Sequence, residues 1–133
     1  MKALVVEDSR TCRMAVGHLF KNSGWHVREC ESLPTDDVGW CDDVILDLGL
    51  VDMLPEESAK YFFSAFPDKP CIVYTAVDDC DVHKMVLRMG AFEAVPKQEF
   101  NRLVKSATKA IESQRNKSGE RIDIVERIDS LIG

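Results

Sequence analysis

The sequence predicts an α/β fold, a doubly wound parallel sheet of five strands with helices on both faces, and two observations predict it. Short apolar runs, Ala3-Leu4-Val5-Val6, Val44-Ile45-Leu46, Cys71-Ile72-Val73-Tyr74 and Ala94-Val95-Pro96, alternate with segments of helical periodicity, as buried parallel strands and their crossover helices do. Each run also breaks off at a reactive side chain: Glu7 and Asp8, Asp47, Thr75, and Lys97. Ligand groups collect at the carboxyl ends of parallel strands. Three carboxylates, a hydroxyl and an ammonium should therefore converge on one spot.

Taken in order, the first strand is followed by a helix from about Ser9, a good N-cap, to Asn22-Ser23-Gly24, with Cys12, Val16, Leu19 and Phe20 on one stripe. A second strand around Trp25 to Cys30 leads into Glu31 to Asp42, where Pro34 and Gly39 allow no more than a short or degenerate second helix. Pro55-Glu56-Glu57 opens the next helix, with Phe62, Phe63 and Phe66 as its apolar mass. Asp78 or Asp79 should cap a helix carrying Val82, Met85, Val86 and Met89, stopped by Gly90. Phe100, Leu103, Val104, Ala107 and Ile111 then give a final amphipathic helix of the domain. Arg28 marks the second strand as half buried and Pro96 is tolerable on an edge. The first and third strands, the most uniformly apolar, belong inside. The order 2-1-3-4-5, a flavodoxin-like arrangement, satisfies these constraints and places Glu7, Asp8 and Asp47 at the topological switch point.

At 133 residues the chain is expected to form one domain, residues 1–117, with a boundary at Asn116-Lys117-Ser118-Gly119. Beyond it, residues 118–133 read as a helical extension with Ile122, Val125, Ile128 and Ile132 on one side, suited to dimerisation, partner binding or packing back on the domain. The apolar stretches fall well short of the roughly 20 residues of a membrane span, and the N-terminus has no signal-peptide shape. A cytoplasmic location without membrane contact is the expectation. Five cysteines without a CxxC pair suggest reduced, partly buried thiols. The net charge is −6; with 8 Lys and Arg against 6 Asp and Glu from Lys97 onward, the first 96 residues carry −8. Such a body argues against direct nucleic-acid binding and favours a basic partner or a divalent cation.

Three carboxylates at adjacent strand ends cannot all stay ionised cheaply: one pKa rises, or a cation enters. A few hard oxygen ligands on rigid strand ends suit Mg²⁺ that keeps several waters. Lys97 would add a second positive charge, and Thr75 a donor for a phosphoryl oxygen. The set is arranged for phosphoryl transfer onto a carboxylate, with Asp47 central and nucleophilic. Thr75 or Lys97 alone would carry no weight, since β-branched residues end strands routinely and lysines are mostly surface groups; they count through their company.

The chain resembles response-regulator receiver domains of the two-component signalling family. The matching segments, in order, are Val5-Val6-Glu7-Asp8-Ser9, Ile45-Leu46-Asp47-Leu48-Gly49-Leu50, Tyr74-Thr75-Ala76, and Gly90-Ala91 through Lys97, over about residues 2–115. The resemblance implies that Asp47 takes a phosphoryl group from the phosphohistidine of a sensor histidine kinase or a histidine phosphotransfer protein. It implies that Asp8, Asp47 and the Gly49 carbonyl bind Mg²⁺, with Glu7 acting through water, and that Thr75, the Ala76 N–H and Lys97 hold phosphoryl oxygens. It also implies signalling by conformational switching of a protein-binding surface for a downstream target, or by phosphorelay, and no turnover beyond self-phosphorylation and autodephosphorylation.

Four departures from the family's pattern bear on the switch. Ala94 occupies a switch position that is usually aromatic, Gln98 follows the lysine where proline is common while Pro96 precedes it, Val51 and Met53-Leu54-Pro55 alter the loop after Asp47, and the span from Asp8 to Asp47 is shortened. The Lys97 loop is accordingly expected to be arranged differently. Gly49 and Val77, two positions beyond Asp47 and Thr75, are expected to set phosphoryl lifetime. Two other readings remain: a pseudo-receiver binding module, and a haloacid-dehalogenase-type aspartyl-phosphate hydrolase. Against the hydrolase, Asp47 lies on the third strand and Gly49 stands where its DxD motif needs an acid. The expected output, with no second domain in the sequence, is a protein contact, a phosphorelay step or a homodimer.

Overall fold

The computed structural model describes residues 1–35, 38–49, 54–76 and 80–116. Strands β1 (Lys2–Val6), β2 (His26–Cys30), β3 (Asp43–Leu46), β4 (Cys71–Thr75) and β5 (Glu93–Pro96) form one parallel sheet of order β2-β1-β3-β4-β5. Helices α1 (Arg10–Asn22), α2 (Pro55–Ala65) and α3 (Cys80–Met89) connect them, and α4 occupies residues 103–116. The predicted order is the observed one. β3 and β4 are buried along their whole length, whereas β2 and β5 are only partly so. Pro96 ends the edge strand β5, where its missing N–H costs no ladder bond.

The helix boundaries follow from local chemistry. The Ser9 side chain accepts a hydrogen bond from the Cys12 N–H at 3.4 Å and starts α1; Ser23 and Gly24 N–H groups close it on the Phe20 and Lys21 carbonyls, with Gly24 at φ +86°. Ser9→Ala is expected to cost about 1 kcal/mol of stability in a denaturant titration. α2 opens on Pro55 with Glu56 and Glu57 in its first turn, complementing the helix dipole. α3 ends at Gly90, whose φ of +121° is closed to other residues without strain. The expected caps Asp78 and Asp79 lie outside the described residues, as do Leu50, Val51, Met53, Val77 and the extension 118–133.

Alternation along the strands divides the core into two layers. On one face α1 and α4 cover the sheet: Val16, Phe20 and Leu103, Ala107 and Ile111 pack against Ala3, Val5, Ile45, Ile72, Tyr74 and Val95. Phe20 meets Trp25 edge-on at 5.0 Å. On the other face Phe62 and Phe63 of α2 and Val86 of α3 pack on Val6, Val44, Leu46, Cys71 and Val73. Over the β1–β2 side of this second face, the described residues between β2 and β3 contain no helix. Leu33, Val38, Trp40 and Cys41 pack there instead, and the Trp40 ring lies 4.3 Å from the Arg28 guanidinium and 5.8 Å from the Lys2 ammonium.

The final helix departs from expectation at its start. A 3₁₀ segment, Lys97–Arg102, precedes α4, and Glu99 leaves helical geometry at φ −101°, ψ 36°. Lys97 points back across the sheet to β1 and β3, while Arg102 pairs with both Glu93 and Glu99. These two pulls delay the regular helix to residue 103. The five cysteines are free thiols, as the sequence suggests. Burial pushes Cys41 up to about 11 and Cys71 also upward, which leaves both as inert core groups.

Candidate functional site

Strands β1, β3, β4 and β5 deliver their terminal residues to one end of the sheet because the register is parallel and nearly flush. Asp47 N–H donates to the Val6 carbonyl at 2.9 Å, locking the residue after β3 to the end of β1, and Glu7 N–H donates to the Cys30 carbonyl of β2 at 3.0 Å. Thr75 pairs in register with Pro96, so Lys97 begins one step beyond it. Glu7, Asp47 and Thr75 are buried and Asp8 is half-buried. Ala76 and Gly49 are exposed at the rim.

Within this pocket Lys97 Nζ lies 3.2 Å from Glu7 Oε2 and 3.6 Å from Asp47 Oδ2. The Ser9 N–H donates to Glu7 Oε1 at 3.1 Å, and the Gly49 N–H donates to Asp47 Oδ1 at 3.0 Å. The Asp47 carboxylate is thus held at one oxygen by backbone and faced at the other by an ammonium. Burial, with the hydrogen-bonded and charged Asp47 beside it, pushes Glu7 up to about 7, although the Ser9 N–H and Lys97 pull the other way. Burial would lower Lys97, but the charges of Asp47 and Glu7 outweigh it and raise its pKa. The ammonium stays charged at neutral pH.

Glu7, Asp8 and Asp47 each place a carboxylate oxygen within 4.8 Å of the others, with one wall half open to solvent. Lys97 offsets one of three negative charges, and the raised Glu7 registers the rest. This donor set fits a hard divalent cation.

Glu7, Asp8, Asp47, Gly49, Thr75, Ala76 and Lys97 come to this end of the sheet. Ala94 does not enter the pocket: it pairs with Val73 inside the sheet and packs, half-buried, on the α2–α3 layer. Two contributors were not expected. Arg13 Nη1 donates to the Glu7 carbonyl at 2.9 Å and its other arm reaches Glu31 at 3.6 Å, tying α1 to the strand end. The Tyr74 ring lies 5.2 Å from Lys97 Nζ and gives the ammonium an aromatic wall. The place of Arg13 on the first turn of a helix that starts beside Glu7 was a usable signal; the Tyr74 contact had none, because it depends on where the 3₁₀ segment directs Lys97.

The sequence matches no known family profile and no curated protein. The fold does have matches among solved structures. A response regulator receiver domain from Clostridium thermocellum superimposes with a TM-score of 0.75 at 22% identity, over 86% of this chain and 96% of that one. A CheY-like receiver domain protein from Methanospirillum hungatei gives 0.72 at 15% identity over 87% and 97%. The receiver domain of the Francisella response regulator 1452 gives 0.72 at 15% over 84% and 97%. The chain has the receiver fold, with an acidic cluster at the carboxyl end of its sheet. Among the described residues, no helix is long and apolar enough to cross a membrane.

Proposed function

We propose that the chain is a response-regulator receiver that accepts a phosphoryl group on Asp47 from a histidine kinase or histidine phosphotransfer protein, with Mg²⁺ on Glu7, Asp8, Asp47 and the Gly49 carbonyl. The observation that carries this reading is the placement of Asp47: a buried carboxylate with one oxygen held by the Gly49 N–H and the other 3.6 Å from Lys97 Nζ, beside two further acids. An Asp47 oxygen attacks phosphorus, the phosphorus–nitrogen bond of the donor phosphohistidine breaks, and the imidazole leaves with the electron pair. Lys97 then turns from the carboxylates to a phosphoryl oxygen, and Thr75 and the Ala76 N–H donate to the others. The cation would supply neutralisation of the charge gathering on the phosphoryl oxygens. The added charge of about −1.5 to −2 draws Thr75 and Lys97 inward. Because Lys97 opens the 3₁₀ segment, that movement reaches β5 and α4 and provides a signal to a protein target, or the group passes onward in a relay.

The test is incubation with a small phosphodonor such as acetyl phosphate, with and without Mg²⁺, read by intact mass. A stable, Mg²⁺-dependent phosphoryl adduct supports the receiver. No adduct would point to a binding module without phosphorylation, and rapid phosphate release without accumulation to a hydrolase. Gly49 offers a second handle on the reaction: a Cβ there would lie 3.6 Å from both Asp47 oxygens, in ordinary contact. Gly49→Leu is expected to shield the aspartyl phosphate from water and lengthen its lifetime several-fold. An unchanged dephosphorylation rate would remove Gly49 from that role.

A further inference from the structure

At the end of the sheet opposite Asp47, where the described residues between β2 and β3 contain no helix, a groove of about 630 Å³ lies against the C-terminal half of α2. Val38, Gly39, Tyr61, Ala65, Phe66 and Lys69 are among the residues that line it. Tyr61 is 40% exposed, an aromatic ring left uncovered on a helix whose other rings are packed. In a doubly wound fold each face of the sheet is normally closed by helices. Here the described residues between β2 and β3, with Pro34 and Gly39 among them, form no helix, and the groove is left beside them.

The chain itself carries a segment suited to close it. α4 is described to residue 116, and 17 residues follow. In its last described turn, Gln114 Nε2 donates to the Asp68 carbonyl at 3.2 Å. Asp68 lines the groove, so α4 delivers the chain to its rim. Asn116 to Gly119 can span about 13 Å when extended. The stretch Glu120–Ile132 then places Ile122, Val125, Ile128 and Ile132 at helical spacing, with acids and arginines between them. As a helix it would be about 20 Å long.

We propose that residues 120–132 dock intramolecularly into the groove between residues 38–39 and the C-terminal half of α2, covering the face that a crossover helix between β2 and β3 would cover. The proposal does not rest on phosphorylation of Asp47, because groove and acceptor lie at opposite ends of the strands. Burial of Ile128 and its neighbours against Tyr61 and Phe66 is the driving term. The short leash gives the tail an effective concentration that a second molecule would match only at millimolar levels.

The test compares amide hydrogen exchange in the full chain with that in a Val125→Asp/Ile128→Asp variant, alongside solution mass. The expected result is a monomer in both cases, with exchange over residues 38–40 and 61–66 about tenfold faster in the variant and the strand ends around Asp47 unaffected. The reciprocal Tyr61→Asp variant should release residues 120–132 in the same way. Unchanged exchange at 38–40 and 61–66 would overturn the proposal. So would protection that tracks a concentration-dependent dimer, which would make the occupant a second copy. Unchanged exchange in the strands of both variants separates local release of the tail from a folding defect.

Discussion

Asp47→Asn is expected to abolish the phosphoryl adduct, by at least about 100-fold, while leaving the domain folded. The amide oxygen can still accept the Gly49 N–H that now meets Oδ1 at 3.0 Å, so the turn after β3 keeps its anchor. What disappears is the nucleophilic carboxylate and one negative charge beside Glu7. Since Asp47 raises Glu7 both by its hydrogen bond and by its charge, Glu7 in the variant should ionise at lower pH and hold Lys97 alone. A thermal scan should show stability unchanged or improved, and the increase in melting temperature on adding Mg²⁺ should shrink. An adduct of undiminished yield on Asp47→Asn would overturn the assignment of the acceptor. Loss of the adduct together with loss of the fold would be resolved by Asp47→Glu, which keeps the charge and displaces the nucleophile by one methylene.

The second large effect concerns a carboxyl far from the site. Asp43 opens β3 fully buried, and neither of its oxygens has a hydrogen-bond partner among the described residues. Burial, then the charge of Asp42, pushes its pKa up to about 8 against a weaker pull from Lys69. The folded state therefore keeps a proton that the unfolded chain has lost by neutral pH. For a raised carboxyl the sign is fixed: its stability contribution is fullest below about 4, and it declines as pH rises toward about 8. Asp43→Val should stabilise the domain at pH 7 by roughly 2–4 kcal/mol, given about 1.4 kcal/mol per pKa unit and the incomplete relief expected in a packed strand. At pH 4 the gain should mostly vanish. Asp43→Asn keeps a buried polar group and should flatten the pH dependence with little of the gain. Urea titrations of the three proteins at pH 4, 6 and 8 decide it. A Val variant no more stable than the parent at pH 7 would mean that Asp43 finds compensation.

Asp43 carries no local signal of its burial. In Cys41-Asp42-Asp43-Val44, two adjacent acids before an apolar run look like the solvated lead-in to a strand. Only the pairing of Ala3 with Asp43 puts the second acid inside the sheet. The same limit applies to the start of α4. Hydrophobic spacing from Phe100 to Ile111 extends a helix through residues 100–102, but those residues form a 3₁₀ segment, where Lys97 is drawn to Glu7 and Asp47 and Arg102 to Glu93 and Glu99. By contrast, Ser9, Pro55 and Gly90 act on their own neighbours within a turn, and the boundaries they imply are those observed.

By itself the sequence determined the sheet order, the two helical layers and the identity of the residues at the strand ends. These follow from short-range rules: apolar runs make buried strands, caps and breakers bound helices, and parallel crossovers bring carboxyl ends together. Tertiary structure alone decided how those residues meet: that Lys97 lies against Glu7 across 90 residues of sequence, that Glu7 is raised while Lys97 stays charged, that Tyr74 backs the ammonium, and that a groove lies open beside α2. The physical reason is that charge pairing, desolvation and packing gaps are sums over elements remote in the chain. No local pattern encodes such a sum until the elements are in place.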